Sequence, residues 1–165
     1  MNTQTIFLHQ SSGKENIKKL HILEGLWKGE AWMINRDREK EYIIQTEKVQ
    51  LKQNGRVITI DGTGIDKESL RSKPTVVHDA FAVIYFDEEK QKIQMLAFNR
   101  GRHVITEPQI GEQGSLVWGF TVPNMGKVRY TLRLNEQGQW YEIGEVSRDG
   151  VQWFQNFEMT LDKIE

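Results

Sequence analysis

Short stretches of alternating apolar and polar residues recur along most of the chain. Residues 115–122 and 127–134 carry an apolar side chain at every second position, with mainly Ser, Thr, Lys and Arg between them. A period of two is typical of a β-strand that buries one face. Counted along the chain, the pattern predicts ten strands: 26–34, 41–52, 56–65, 76–86, 91–99, 102–109, 115–122, 127–135, 139–147 and 151–162.

Turn-forming residues separate these stretches at nearly regular intervals. Asn54-Gly55, Asp61-Gly62 and Asp149-Gly150 are examples, and such pairs adopt the positive φ angles that tight hairpin turns need. Short strands with turns roughly every 8–12 residues are typical of a β-sandwich or barrel. We expect an all-β fold, a single closed or nearly closed antiparallel barrel, because the hairpin order is sequential and closure removes exposed strand edges.

One short helix is predicted before the first strand. Residues 16–23 place three aliphatic side chains on one face, and Gly25 follows where glycine commonly ends a helix. We expect this helix to cap one end of the barrel. The sequence therefore divides into a flexible N-terminal segment, residues 1–15, and one barrel domain, residues 16–165.

Composition agrees with a β fold and narrows the chemistry. Alanine occurs four times, against 14 glycines and five tryptophans, whereas a helical bundle is usually rich in alanine. The formal net charge of −1 provides no general attraction to nucleic acid or to an anionic membrane. The chain has no cysteine, which excludes disulfides, a thiol nucleophile and cysteine-based zinc sites.

No stretch has the length of a targeting or membrane segment. The longest apolar run is Ala80 to Phe86, and a bilayer-spanning helix needs about 20 apolar residues. The first 13 residues contain a single apolar run of three, shorter than a signal peptide requires. We therefore expect a cytoplasmic protein without a membrane partner.

The start of the first predicted strand resembles a known superfamily. Gly25-Leu26-Trp27 follows a short helix, as in the calycin superfamily, which includes lipocalins and fatty-acid-binding proteins. The longer stretch 23–30 is similar to nitrobindin-type and related uncharacterised lipocalin-like families. Shorter likenesses occur at 47–49, 77–79, 140–142, 147–153 and 158–159. The resemblance, which covers about residues 20–162, implies a barrel that holds a small molecule.

The histidines depart from the nitrobindin pattern. Those proteins bind haem through a histidine in the C-terminal part of the barrel. The four histidines here are His9, His21, His78 and His103, so that ligand has no counterpart. We therefore predict no haem and no other cofactor.

In calycins, the tryptophan of this motif closes the barrel floor, often beneath a basic side chain from a late strand. The resemblance therefore implies a structural role for Trp27. Arg148 is the basic residue that position suggests for the contact, a cation–π interaction.

His78 and Asp79 form the most distinctive polar feature. Neighbouring strand residues point to opposite faces, so the two do not form a catalytic pair, and one of them is buried on an apolar face. A buried polar group needs a hydrogen-bond partner in the protein, in water or in a ligand. His103 and Glu107 lie about 13 Å apart on one strand face, too far for one metal ion, and we predict no metal site.

We expect a non-enzymatic barrel that binds a small, largely apolar or amphiphilic molecule. Glu47, Gln45, Glu142, Glu145, Arg129 and Gln155 are further polar residues on mixed strands, and a few such groups among apolar walls fix a ligand's polar end. The predicted ligand-binding residues are Trp32, Met33, His78, Phe81, Trp118, Tyr130 and Trp153.

Two alternatives remain open at this point. One is an enzyme of isomerase-like or cyclase-like acid–base chemistry, with His78 beside Glu47 or Glu107, which would need to lie within about 3 Å of the proton they move. The other is a structural or partner-binding barrel, for which a homodimer is one form. The sequence does not choose between an open and a filled lumen.

Overall fold

A computed structural model describes residues 13–165, of which Gly13 and Lys14 are described by their backbone alone. The predicted segment 1–15 lies mainly outside this range, and its last residues belong to helix α1. The elements are α1 Gly13–Lys18, β1 Gly25–Ile34, β2 Lys40–Lys52, β3 Val57–Asp66, β4 Val76–Asp87, β5 Lys92–Asn99, β6 Arg102–Thr106, β7 Gln109–Ile110, β8 Leu116–Val122, β9 Gly126–Leu134, β10 Trp140–Ser147 and β11 Phe154–Lys163. Short 3₁₀ helices span Lys19–Leu23, Glu68–Arg71 and Glu112–Gly114.

All eleven strands belong to one antiparallel sheet. Their order is β6-β5-β4-β3-β2-β1-β11-β10-β9-β8-β7, so each strand pairs with a chain neighbour except at the β1–β11 junction. The sheet curls until its margins approach each other, where Thr106 Oγ1 donates a hydrogen bond to the Gly119 carbonyl at 2.8 Å. The predicted all-β, nearly closed barrel is confirmed, with an open seam between β6 and β8.

The N-terminal helical segment closes one end of the barrel, which we call the capped end. Leu20 and Leu23 are fully buried there, and His21 Nε2 lies 2.9 Å from the carbonyl oxygen of Gly55 in the β2–β3 turn. Trp27 Nε1 donates to the Leu23 carbonyl at 2.8 Å. The expected capping helix is therefore present, beginning at Gly13 and continuing as a 3₁₀ helix.

At the opposite end, which we call the open end, the hairpin turns β1–β2, β5–β6 and β8–β9 surround an unfilled lumen. No helix among the described residues is long and apolar enough to cross a membrane. The capped half thus holds the packed core, and the open half holds the cavity.

Two predicted strands differ from those observed. The stretch 102–109 is divided into β6 and β7 by Pro108, which has no N–H for the ladder. Asp61-Gly62 is not a turn, since both residues lie inside β3.

The predicted strand 151–162 begins at Phe154 instead. Asp149 organises the preceding loop, because its carboxylate accepts hydrogen bonds from the backbone N–H groups of Val151 and Gln152 at 2.8 and 2.9 Å. These side-chain contacts replace the strand pairing that alternation predicted.

Candidate functional site

A cavity of about 230 Å³ occupies the open half of the barrel. Its wall combines aromatic, aliphatic and polar side chains from nine strands, none of them β6 or β7. The lining residues are Met33, Ile34, Glu47, Ile60, Gly62, His78, Ala80, Phe81, Ala82, Met95, Phe98, Asn99, Leu116, Trp118, Tyr130, Leu132, Trp140, Glu142, Asn156, Phe157 and Met159.

Glycines in β3 make room for polar side chains on the inner face of the sheet. Gly62 pairs with Glu47, and Gly64 pairs with Gln45. A Cβ at Gly62 would lie 2.8 Å from each Glu47 carboxyl oxygen, and one at Gly64 would lie 2.6 Å from the Gln45 amide oxygen. The two side chains therefore lie across the glycines, which explains the Gly-x-Gly sequence inside a strand.

Two buried carboxyl groups face the cavity from different strands. Glu47 of β2 and Glu142 of β10 are 7% and 8% exposed. Glu47 Oε1 accepts a hydrogen bond from Gln45 Nε2 at 2.7 Å, and Glu142 Oε2 accepts one from Trp140 Nε1 at 3.0 Å. Among the described residues neither carboxyl group has a cationic partner within ion-pair distance.

Burial therefore favours the neutral form of both acids. It raises the pKa of Glu47 to about 8, and the nearby charges of Glu142 and Asp61 add to this rise while the Gln45 hydrogen bond opposes it. Burial also raises the pKa of Glu142 to about 7, against the effect of the Trp140 hydrogen bond. At neutral pH the cavity thus presents a protonated Glu47, which can donate as well as accept.

An aromatic wall adjoins Glu142, because its residues come from β9 and β11, the two strands paired with β10, and from β8. Trp118 and Tyr130 stack with their ring centroids 4.6 Å apart, and Phe157 meets Tyr130 edge-on at 6.1 Å. The Tyr130 ring passes over Gly144, where a Cβ would lie 2.8 Å from the ring. Burial, followed by the Glu142 charge, raises the pKa of Tyr130 to about 12, so its hydroxyl group remains protonated.

Two buried amide oxygens in this region, those of Gln45 and Asn156, have no hydrogen-bond partner within the part of the chain that the structure describes. Asn156 lines the cavity because β11 contains an irregularity: Gly144 pairs with Phe157, but Glu145 pairs with Gln155. The extra residue is Asn156, a β-bulge of the kind that redirects a side chain. Buried acceptors without partners are the groups that a bound molecule or water satisfies.

His78 also lines the cavity, on the row of Gln45 and Gly64. Burial, followed by the positive charge of Arg100, lowers the pKa of His78, although Asp79 opposes the shift. The imidazole is therefore neutral at physiological pH.

The structure distributes the predicted ligand-binding residues between two surfaces. Met33, His78, Phe81, Trp118 and Tyr130 border the cavity. Trp32 and Trp153 do not, and both belong to the outer surface.

The physical reasons for these two outward positions differ. Trp32 alternates with the inward Met33, and its ring lies 3.9 Å from Lys40 Nζ. Trp153 would share the face of Phe157 in a regular strand, but the Asn156 bulge reverses the alternation. Its ring instead lies 4.1 Å from the Arg129 guanidinium carbon.

Three further expectations about polar residues are corrected by the structure. Lys163, not Arg148, lies above Trp27, with Nζ 5.4 Å from the ring centroid. Glu107 is exposed and pairs with Lys92 at 3.0 Å, and it does not line the cavity with His78. Gln155 is exposed outside the barrel and donates to Glu158 at 2.8 Å.

Other cavity residues were not predicted from the sequence. No sequence motif marks Asn156, Phe98 or Ala80. Two glycines inside one strand, Gly62 and Gly64, do indicate that other side chains pack closely on that face. In the described part of the chain, no three His, Cys, Asp or Glu residues are grouped as metal ligands would be.

Fold and cavity together define the class: a lipocalin-like β-barrel with a lumen that is open at one end. Solved structures support this fold. Rv2717c from M. tuberculosis superposes with a TM-score of 0.64 at 8% identity, covering 91% of this chain and 98% of that one. The S-type phycobiliprotein lyase CPES from Guillardia theta gives 0.59 at 10% identity, covering 94% of each chain.

The chain belongs to the family described as biogenesis factor required for ATP synthase 1, C-terminal domain, whose model matches residues 14–150. A comparison with curated protein sequences gave no significant match. The calycin and nitrobindin-type resemblances stay predictions, whereas the antiparallel, lipocalin-like barrel fold is confirmed.

Proposed function

We propose that this protein binds a small, largely apolar or amphiphilic molecule in its barrel cavity, at a cytoplasmic location. The unfilled open half of the barrel is the observation that carries the proposal. An apolar cavity of about 150 Å³ is enough to bind benzene in another protein. The volume of about 230 Å³ here therefore suits a compact ring system or a short chain.

The composition of the wall supports the same proposal. Binding sites for small molecules are mainly apolar, with a few polar groups that fix the orientation of the ligand. Here the rings of Trp118, Tyr130 and Phe157 supply apolar surface, while Glu47 and Asn156 supply hydrogen-bonding groups. The Asn156 side-chain oxygen is buried and has no partner among residues 13–165, so it is available to accept a hydrogen bond from a ligand.

A titration with a neutral fluorescent ring compound, N-phenyl-1-naphthylamine, tests the proposal. We expect saturable binding with one site per chain and a rise in probe fluorescence. Ala80→Phe should abolish this binding because Ala80 lines the cavity beside Gly62. Thr63→Phe is the matched control, since Thr63 lies exposed on the outer face of β3.

Equal binding by wild type and Ala80→Phe would contradict the proposal, and so would no binding by wild type. Native mass spectrometry of protein purified from its host provides a second measurement. A co-purifying small molecule that is absent from Ala80→Phe would identify the natural ligand.

The family match favours a second candidate function, in which the barrel binds a protein partner. The family is named for the biogenesis of ATP synthase, so the partner would be a subunit of that enzyme. Size-exclusion chromatography with purified ATP synthase subunits tests this candidate, and light scattering on the protein alone detects a homodimer. If wild type and Ala80→Phe co-elute equally with a subunit, the partner binds the outer surface of the barrel. If wild type co-elutes with no subunit, this second candidate function is rejected.

A further inference from the structure

The cavity adjoins a wider mouth at the open end of the barrel. This mouth has a volume of about 760 Å³ and lies between the β1–β2 turn, the β5–β6 hairpin and β8. The part of β8 that borders it, residues 118–122, extends beyond the two residues that pair with β7. Four residues border both the mouth and the cavity, namely Phe98, Asn99, Trp118 and Tyr130. A molecule in the cavity can therefore extend into the mouth along the aromatic wall.

The charges that the described residues bring to the mouth have one sign. Arg36, Arg100 and Arg102 line it together with His103, and no Asp or Glu of residues 13–165 does. Among the described residues, none of the three guanidinium groups has an acidic partner within ion-pair distance. Arg100 does donate a hydrogen bond to the Val77 carbonyl, which anchors its side chain beside the cavity.

Two hairpin turns hold these cations at the rim. Arg100 and Gly101 are the central residues of the β5–β6 turn and have φ angles of 48° and 77°, as a two-residue type I′ hairpin requires. Arg102 follows directly, and Arg36 comes from the β1–β2 turn on the other side of the mouth. Guanidinium groups bind carboxylates and phosphates through paired hydrogen bonds.

We propose that the ligand is an anionic amphiphile whose carboxylate or phosphate group binds Arg36, Arg100 and Arg102 while its apolar body lies along Trp118 and Tyr130. This inference rests on the proposed ligand-binding function and adds the charge and the orientation of the ligand. Neither of the two inner acids lines the mouth, and burial reduces the negative charge of both at neutral pH, so their repulsion of an anion at the mouth is weakened.

Calorimetric titration with four compounds that share one ring tests the inference. The compounds are 2-naphthoate, 2-naphthyl phosphate, 2-naphthylmethanol and 2-naphthylmethylammonium. We expect both anions to bind about tenfold or more tightly than the alcohol at low salt, and the ammonium compound to bind most weakly. The tighter of the two anions identifies the head group.

Variants locate the source of this preference. Arg100→Gln and Arg102→Gln should each reduce anion affinity severalfold and leave the affinity for the alcohol unchanged. Arg56→Gln is the control, because Arg56 is an exposed arginine in the turn at the capped end. High salt should reduce the preference for anions in the wild-type protein.

The outcomes separate this inference from the proposed function. Equal affinity for the anions and the alcohol, or tighter binding of the ammonium compound, would overturn the anionic ligand while leaving a ligand-binding barrel. Loss of alcohol binding in Arg100→Gln and Arg102→Gln to the same extent as anion binding would also overturn it. No binding of any ring compound would overturn both.

Discussion

The two halves of the barrel bury different chemistry although the same strands build both. In the capped half, Trp27 and Trp140 meet edge-on with centroids 5.8 Å apart, each 2% exposed. The neighbouring inward positions carry Glu142 and Glu47, which border the cavity, although Glu47 pairs directly with Trp27 across β1 and β2. Trp140 and Glu142 are only two residues apart on β10, and the indole N–H of one donates to the carboxyl group of the other.

This difference indicates that the capped half mainly stabilises the fold, whereas the open half forms the cavity. The capped half removes large apolar surfaces from water, which is the main favourable contribution to folding. The open half keeps acids, unpaired amide oxygens and empty volume, all of which reduce stability. We infer that the stability supplied by the capped half offsets the cost of maintaining a binding cavity.

The largest expected effect is a loss of stability with rising pH that originates in the open half. The folded pKa values of Glu47 and Glu142, about 8 and 7, exceed the ordinary value of 4.5. The stability contributed by their neutral forms is therefore fully present below pH 4.5 and is lost as pH rises through the folded pKa values. The free energy of unfolding should fall by on the order of 8 kcal/mol across this range, because each pKa unit corresponds to about 1.4 kcal/mol.

Urea unfolding at a series of pH values measures this loss. The double substitution Glu47→Gln and Glu142→Gln should flatten the profile, because an amide does not titrate. Glu107→Gln serves as the control, since that carboxyl group is exposed. An unchanged slope in the double variant would show that other groups cause the pH dependence.

The next largest effect should come from the capped half. Trp27→Ala removes a buried ring that packs against Trp140 and bonds to Leu23, and should cost about 4 kcal/mol in the free energy of unfolding. Trp32→Ala, on the outer surface, should cost less than about 1 kcal/mol. Urea denaturation at one pH compares the two, and equal losses would contradict the division between the halves.

The smallest effect concerns the space that β3 leaves for Glu47. Gly62→Ala would place a Cβ 2.8 Å from both carboxyl oxygens and should cost about 1–3 kcal/mol. The same substitution in a Glu47→Ala background should cost clearly less, since the crowded group is absent. A double-mutant cycle measures this coupling, and additive losses would contradict a direct contact.

Periodicity predicted the barrel well because strand alternation depends on local sequence. The hairpins, the capping helix and the inward positions of Met33 and Tyr130 follow from it. It failed where one residue changes the alternation. Because of the bulge at Asn156, Trp153 lies on the outer surface and not on the predicted inner face. Because Asp149 organises the preceding loop, β11 begins later than predicted.

The contents of the cavity depended on information that one strand does not contain. Gly62 looked like part of a turn because it follows Asp61, yet it is a strand residue that accommodates Glu47. Whether the lumen was full or empty depended on how the inward side chains of many strands pack together. The mouth could not be predicted either, because Arg36 and Arg100 are distant in the sequence. Both line the same opening only because the sheet curls.

The strand order also has a consequence for how quickly the chain can find its fold. Strands β1–β6 form one meander and β7–β11 form another, and every pairing within them joins chain neighbours. The β1–β11 pairing is the single ladder that must bring distant parts of the chain together. Folding rates fall as contacts become more distant in sequence, so we expect formation of this one junction to limit the folding rate of two otherwise local meanders.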